Sequence, residues 1–272
     1  MKKFLKTFLA VAVLIPCSLL FVACGQLDTQ AKVNTSGNYK EATLEDVTKY
    51  ATENESTIES ETKLGYQISM KMVDKDSNKF TVNLYTAYDA EGKFNGFACK
   101  LEGRAKIEEN KVIEANYTCY IKDSTVYLKG TINEEKAEYQ FKAPLVAETI
   151  ASYVSGGAQI VAKTYSDIVF IANAVAAEAG FKIEMATSGS TAKYHLASEV
   201  VGIDIYYVFK EGILTGLKGS FKDSEDGTSF DFVMKSFNGS IKYPSNLENY
   251  NTDITKLGTE TAEIIKELVS FA

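Results

Sequence analysis

The chain has 272 residues, 45% of them hydrophobic, and a formal net charge of −7. An acidic chain is unsuited to nucleic acid, because that binding depends on Lys and Arg side chains that neutralise phosphate. The hydrophobic content is that of a folded core and excludes a disordered tail as the main part of the molecule.

The N-terminal sequence predicts an export signal. Lys2, Lys3 and Lys6 precede an apolar run from Phe8 to Ala23. A basic start, an apolar run and a small residue before the boundary form the pattern of a secretory signal. The run is shorter than the roughly 20 residues that span a bilayer comfortably. Residues 1–23 are therefore expected to be a removable signal peptide.

A cysteine follows this segment directly. The stretch Leu20-Phe21-Val22-Ala23-Cys24 resembles a bacterial lipobox, although Phe21 stands where Leu is commonest. The resemblance implies cleavage between Ala23 and Cys24 and acylation of Cys24. The mature chain would then be held to the outer face of the bacterial cell membrane, or to the outer membrane of a Gram-negative host. The alternative is an uncleaved membrane anchor that contains an ordinary cysteine.

Removal of the signal makes the chain more acidic. It takes away three Lys and no acidic residue, which leaves 26 basic and 36 acidic side chains and a formal charge of −10. This charge argues against a basic patch that docks on anionic lipid, so the acyl chains are expected to carry the membrane attachment. We expect no nucleic-acid partner, and the sequence identifies no protein partner.

The mature chain is predicted to begin with a tether and a helix. Polar residues and glycine dominate residues 24–42, which predicts a lipidated cysteine followed by a flexible linker. Residues 43–272 are expected to form one domain. Thr43 can cap a helix over about residues 44–59, with Asp46 at its third position.

Period-2 alternation of apolar and polar residues then predicts six strands. They are LGYQISMKM, FTVNLYTAY, FNGFACKLEGRA, VIEANYTCYI, TVYLKGTI and AEYQFK, which lie between residues 64 and 142. Short polar turns separate these runs. Consecutive strands joined by short turns form an antiparallel meander.

Pro144 marks a change of period. The Ala-rich stretch that follows predicts two helices, at 145–154 and 158–179, which Gly156 and Gly157 separate. Five further strands are predicted in FKIEMA, TAKYHLAS, VVGIDIYYVF, ILTGLKGSF and TSFDFVMKSF, and a C-terminal amphipathic helix follows Pro244. The predicted fold class is α+β, with a large antiparallel sheet of about 11 strands, a helical pair inserted mid-chain, and helices near both ends.

This element order behind a lipidated cysteine resembles the half-barrel lipoprotein carriers. These are the periplasmic lipoprotein carriers with their receptors and the mycobacterial lipid-binding lipoproteins. The resemblance covers roughly residues 44–245 and carries no diagnostic side-chain motif, so no site residue transfers. It implies a curved sheet that wraps helices and leaves a hydrophobic cavity for acyl chains.

Such a cavity would be lined by apolar residues of the sheet and the helical pair. The candidates are Met70, Met72, Val82, Leu84, Ile168 and Val175, and methionine suits a flexible ligand. The alternative is that all six are ordinary core residues. Two functions therefore stay open: binding or carriage of a lipid-like ligand in the cell envelope, and a surface lipoprotein that acts through protein contacts.

The sequence offers little for catalysis. His195 is the single histidine, and a lone strand histidine is expected to be hydrogen-bonded or solvated. The stretch DKDSN at 74–78 imitates the start of a calcium loop, but Lys79 and Tyr85 stand where Gly and Glu are required. We expect no enzyme, no metal site and no cofactor.

Cys99 and Cys119 are the cysteines that follow Cys24. A hairpin folded around Glu109 would place them almost opposite each other on two strands. They could form one disulfide, or they could be two buried thiols, and either role would be structural.

Overall fold

The computed structural model describes residues 26–54, 65–75, 78–89, 91, 94–108, 111–132, 135–142, 165–176, 180–223 and 227–253. Strands β1 to β12 are Lys40–Glu41, Gly65–Val73, Lys79–Tyr88, Phe94–Glu108, Lys111–Lys122, Thr125–Ile132, Glu135–Lys142, Phe181–Ser188, Thr191–Ser198, Ile203–Lys210, Ile213–Lys222 and Ser229–Phe237. The α-helices are α1, Leu44–Asn54, and α2, Tyr165–Ala176, and a 3-10 helix spans Leu247–Asn249.

All twelve strands belong to one antiparallel sheet. Its order is β1-β8-β9-β10-β11-β12-β2-β3-β4-β5-β6-β7. The pairing of β12 with β2 joins the five strands after α2 to the six before it. Within the described ranges β1 and β7 are the edges and do not pair with each other, so the sheet is open. The prediction of a large antiparallel sheet is confirmed, and β1 adds a strand too short to show alternation.

The described helices cover less of the chain than the sequence predicts. The helix expected at 44–59 is described from Leu44 to Asn54, and the one expected at 158–179 from Tyr165 to Ala176. The helix predicted at 145–154 and the C-terminal helix predicted over 254–272 lie outside the described residues. Neither α1 nor α2 has the length and apolar composition that crossing a bilayer requires.

Helix α1 begins at the predicted cap. The Thr43 backbone N–H donates to Asp46 Oδ2 at 2.8 Å, and the Asp46 N–H donates to Thr43 Oγ1 at 3.2 Å. This reciprocal pair is a capping box with Asp in place of Glu or Gln. The hydrogen bond from the Thr43 side chain also lowers the pKa of Asp46. Val47 and Ala51, which are one helical turn apart, are buried in the core.

Both helices lie on one side of the sheet, which we call the helix face. Val47, Ala51, Ile168 and Ala172 pack there against strands β8 to β12 in a helix cluster. Aromatic rings fill its centre, with Tyr165 5.1 Å from Phe209 and 5.4 Å from Tyr50 between ring centroids. Burial of large aromatic side chains supplies much of the apolar area that stabilises such a core.

The helix face continues over β2 to β7 as a second apolar group, the strand cluster. Its buried members are Val82, Leu84, Phe97, Cys99, Leu101, Tyr117, Cys119, Ile121, Val126, Leu128, Ala137 and Tyr139. Ile68 packs against both clusters, so the apolar surface crosses the β12–β2 junction. Among strand positions with described side chains in β2 to β12, Glu135 is the only charged residue on this face.

The opposite side of the sheet, the back face, is crossed by residues 26–41. The Ala31 N–H donates to Ser69 Oγ at 2.7 Å, and Gln67 Nε2 donates to the Thr29 carbonyl at 2.7 Å. Further on, the Val33 side chain lies over Gly216, where an added Cβ would come within 2.7 Å of it. Strand β1 then pairs with β8 at the edge of the sheet.

For residues 26–41, these contacts correct the prediction of a flexible tether. The segment is rich in polar residues because its backbone and side chains bond to polar groups that point out of the sheet. Leu27, which is 1% exposed, packs with Tyr85 and Tyr120 in a third apolar cluster. A polar composition is therefore compatible with an ordered segment when a sheet supplies the hydrogen-bond partners.

Residues 238–253 cover the other half of the back face. Ile241, Leu247 and Tyr250 enter the same third cluster. The Gln140 N–H donates to the Asn251 carbonyl at 2.8 Å, which fixes the segment against β7. The two terminal segments therefore run along the back face in opposite directions from a common starting point near Leu27.

Leu27 tests whether residues 26–41 belong to the folded unit. We expect Leu27→Ala to lower the free energy of unfolding by about 2–4 kcal/mol, because it leaves a cavity where the buried leucine side chain was. Urea denaturation measures this change. The matched control is Val200→Ala, at a side chain that is 75% exposed, with an expected change within about 0.5 kcal/mol. Equal effects of the two substitutions would contradict the packing of residues 26–41 against the sheet and would favour a flexible linker.

Candidate functional site

The six candidate ligand-lining residues all belong to elements that contribute to the helix face, but they do not form one group. Val82 and Leu84 are buried in the strand cluster, and Met70 packs against it as the cross-strand neighbour of Val82. Met72, which is partly buried, is paired with Phe80.

Ile168 belongs to the helix cluster instead. Val175 lies in α2, but its side chain falls outside the described residues. The structure thus brings Met70, Val82 and Leu84 together in the strand cluster and places Ile168 in the helix cluster.

The helix cluster contains a buried polar atom, the hydroxyl oxygen of Tyr194. The Tyr194 side chain is fully buried beside Tyr165 and Phe209. In the described part of the chain, its hydroxyl has no hydrogen-bond partner. Burial raises the pKa of Tyr194 well above its ordinary value, with smaller contributions from Tyr165 and Tyr50. A buried hydroxyl without a partner costs about 1–3 kcal/mol, so a ligand that bonded to it would recover that free energy.

Two adjoining grooves open on the back face, away from the six candidates. The first has a volume of about 630 Å³ and is lined by Gln26, Gln67 and Lys242, among others. The second has a volume of about 410 Å³ and includes Lys32, Lys193 and Lys210. Lys235 lines both grooves. The sequence pattern did not identify this site, because its lysines come from four separate parts of the chain.

Strand alternation and the terminal segments place these lysines together. Met234 enters the helix cluster, so its neighbour Lys235 points to the back face. Lys193 donates from Nζ to the Ser36 carbonyl at 2.6 Å. Among the described residues, Lys32, Lys210, Lys235 and Lys242 form no ion pair with a carboxylate. The grooves therefore present uncompensated positive charge.

Basic residues also outnumber acidic residues over the back face as a whole. Fourteen basic residues occupy outward positions with described side chains in strands β2 to β12: Lys71, Lys79, Lys100, Arg104, Lys122, Lys129, Lys136, Lys142, Lys182, Lys193, Lys210, Lys218, Lys222 and Lys235. Six acidic residues share that face: Glu102, Glu114, Glu138, Glu184, Asp204 and Asp231. In a chain with a net charge of −7, this surface is distinctly basic.

His195 lies on the same face between two carboxylates. Its Nδ1 is 2.6 Å from Glu184 Oε2, and its Nε2 is 2.6 Å from Asp204 Oδ1. The imidazole stacks on Tyr206 with ring centroids 4.1 Å apart. Of the two expected environments, hydrogen-bonded or solvated, the structure shows the first. Each ring nitrogen contacts one carboxylate oxygen.

The other sequence candidates take structural positions. In the 74–78 turn, Asp74 Oδ1 accepts from the Asn78 N–H at 2.9 Å and Oδ2 accepts from Asn78 Nδ2 at 2.7 Å, as in a polar hairpin turn. Within the described ranges, no three His, Cys, Asp or Glu side chains are grouped as a metal ion requires.

Cys99 and Cys119 are direct cross-strand partners, as the hairpin predicts, and both are buried thiols in the structure. Burial raises the pKa of Cys119 well above its ordinary value, and Cys99 adds to the shift. Thiols react as thiolates, so burial and the raised pKa make this position unreactive.

Tyr39 connects the N-terminal segment to His195. Its hydroxyl donates to the Thr35 carbonyl at 2.7 Å, and its ring lies edge-on to His195. Burial, with smaller contributions from Tyr206 and Glu184, raises the pKa of Tyr39 to about 12. Because the pKa is near 10 in the unfolded chain, this group stabilises the fold fully below that pH.

That contribution is lost as the pH rises towards the folded-state pKa. We expect the free energy of unfolding to fall between pH 10 and about 12, and to fall less steeply in Tyr39→Phe. Chemical denaturation at several pH values measures both slopes, and each protein's own value at pH 8 serves as its reference. Identical slopes would contradict the assignment.

No family model matches the chain, and no curated protein matches it. Among solved structures, the chain has a similarity to the S-type phycobiliprotein lyase CPES from Guillardia theta. The identity is 7%, the alignment covers 67% of this chain and 90% of that chain, and the TM-score is 0.14. A similarity at that TM-score supports no argument about fold or function.

Proposed function

We propose that the chain is an exported bacterial lipoprotein, anchored to the outer face of a membrane through acyl chains on Cys24. Its sheet binds a lipid-like ligand on the helix face. The lipobox-like sequence before Cys24 supports the anchor, and the half-barrel resemblance agrees with the large one-sided sheet.

The apolar surface of the helix face suits such a ligand. Ligand sites are mostly apolar, with a few polar groups that set the orientation of the ligand. The helix face supplies the apolar surface through the strand and helix clusters, which meet at Ile68. Met70 packs against Val82 and Leu84 next to that junction, and the latter two are 4% and 0% exposed.

The Tyr194 hydroxyl is the observation that carries this proposal. It is the polar group of the helix cluster that lacks a described partner. An amphiphile with an ester, amide or hydroxyl group beside its acyl chains would supply an acceptor for it, while the chains lie against the surrounding aromatic rings. The expected ligand class is therefore a lipid that carries a hydrogen-bond acceptor.

Native mass spectrometry of residues 25–272, expressed in bacteria without the signal, tests the binding. Co-purified lipid near one-to-one stoichiometry is expected. Tyr194→Phe should keep or raise stability, because it removes the unpaired hydroxyl, and should weaken lipid binding about two- to tenfold, as the loss of one hydrogen bond predicts.

Tyr127→Phe, on the back face, is the matched control and should leave lipid occupancy unchanged. A wild-type protein that is still unliganded after incubation with membrane lipid extract would contradict ligand binding. Equal occupancy in Tyr194→Phe and wild type would contradict the role of the hydroxyl.

Metabolic labelling of the full chain with an alkyne analogue of palmitate tests the anchor. We expect label on the wild-type protein and none on Cys24→Ser, because thioether and amide lipidation both require that cysteine. Cys17→Ser is the control and should keep the label, since Pro16 precedes Cys17 and makes it a poor lipobox cysteine. Label that persists in Cys24→Ser would refute the anchor.

Function through protein contact is the second candidate, and one observation favours it. Phe170 on α2 is 75% exposed, next to the partly buried Val169 and Ile171. A partner that packed on α2 would cover this side chain together with Val169 and Ile171. An unliganded protein in the mass measurement would favour this candidate.

A further inference from the structure

We propose that the back face lies against the anionic headgroups of the membrane that anchors Cys24. This inference rests on the proposed lipidation. It assigns the lysine-lined grooves to a lipid surface and directs the helix face away from the bilayer. Two independent observations carry it: where the described residues begin, and the excess of basic over acidic residues on the back face.

The described residues begin on the back face, at Gln26. The Gln26 backbone carbonyl accepts a hydrogen bond from the Tyr85 hydroxyl at 2.9 Å. The Gln26 side-chain Oε1 accepts from the Lys242 backbone N–H at 2.8 Å. Its Nε2 donates to the Ser240 carbonyl at 3.3 Å. Gln26 is thus fixed at the rim of the first groove.

Cys24 precedes Gln26 by two residues, so its Cα lies within about 8 Å of the Gln26 Cα. The lipid therefore leaves the protein beside the first groove. A tether of eighteen residues would let the domain rotate freely above the membrane, whereas two residues hold this side of the sheet close to it.

The side chains nearest this exit are complementary to anionic lipid. Lys235 and Lys242 line the first groove, and the second groove adds Lys32, Lys193 and Lys210. Each lysine close to an anionic membrane surface strengthens the association by about fivefold. Asp28 and Glu102 both contact Lys100, and Glu184 and Asp204 both contact His195, so these carboxylates offset part of the charge of the back face. The fourteen basic strand positions of that face still outnumber its six acidic ones.

Acidic residues lie at both ends of the sheet and on α1. Asp74, Glu199 and Asp223 lie in turns at the end far from the grooves, and Glu45 and Glu53 lie on α1. Asp89, Glu91, Asp123 and Glu211 lie in strand connections at the same end as the grooves. An anionic surface attracts the basic strand positions of the back face, and this attraction acts only within about 10 Å at ordinary ionic strength. The net charge of the chain therefore does not exclude a basic docking face once the anchor holds it near the bilayer.

The test uses the chain from Cys24 to Ala272, coupled through the Cys24 thiol to a maleimide phospholipid in vesicles. Cys99 and Cys119 are 0% and 3% exposed, so coupling is directed to Cys24. Vesicles of phosphatidylcholine alone are compared with vesicles in which about a quarter of the lipid is phosphatidylglycerol. Acetylation of each lysine by an activated ester, followed by peptide mass spectrometry, reports its access to solvent.

Lys235 and Lys242 are expected to react at least about fivefold more slowly on the phosphatidylglycerol vesicles. Lys49 on α1 and Lys75 at the far end of the sheet should change less than about twofold, and salt near 0.5 M should remove the difference by screening. Equal rates at Lys235 and Lys242 on both lipids would overturn the inference.

Two double variants distinguish docking through the back face from a general attraction of the protein to anionic lipid. Lys235→Glu with Lys242→Glu should abolish the protection of Lys32, Lys193 and Lys210. The matched pair Lys49→Glu with Lys75→Glu carries the same charge change and should retain it. Loss of protection in both pairs would refute a specific face, as would its retention in both.

This experiment and the palmitate labelling can fail separately. The coupling is chemical, so the orientation is measured whether or not cells acylate Cys24. Loss of labelling with a protected back face would refute the anchor and leave the lipid-docking face supported. Labelling without protection would support the anchor and refute the docking face.

Discussion

Nine residues of β12 pair with nine residues of β2, from Ser229 opposite Val73 to Phe237 opposite Gly65, and the rest of the molecule depends on this contact. It joins strands that lie more than 150 residues apart in the chain into one sheet. Without it, the strand cluster and the helix cluster would be two small cores, each with an unprotected edge. With it, Met234 faces Ile68 and the helix face becomes continuous.

The same sheet separates two kinds of chemistry, because successive side chains of a strand point to opposite sides. On the helix face the strands present aliphatic and aromatic groups, and the helices cover β8 to β12. On the back face they present lysine, histidine and polar groups, which bind the two terminal segments. Each proposal about this protein uses one face: an apolar ligand suits the first, and an anionic lipid surface suits the second.

The ordered N-terminal segment connects these proposals. If Cys24 is acylated, the hydrogen bonds of Gln26 leave little freedom between lipid and fold, so the anchor also sets the orientation. The helix face, with Tyr194 among its aromatic rings, then points away from the bilayer. A ligand would reach it from the surroundings or from another protein, and not by direct contact of that face with the anchoring membrane.

Local sequence determined much of the fold. The alternation of Phe80, Val82 and Leu84 predicts both a strand and the face it buries, Thr43 with Asp46 predicts the start of α1, and one hairpin places Cys99 opposite Cys119. These features depend on residues close in the chain, where spacing translates directly into geometry. Tertiary structure decided the β12–β2 pairing, the packing of residues 26–41, the carboxylates on His195 and the grouping of Lys32, Lys193, Lys210, Lys235 and Lys242. Alternation shows which side chains share a face but does not name the partner strand, and a net charge is a sum that does not show where the charges lie.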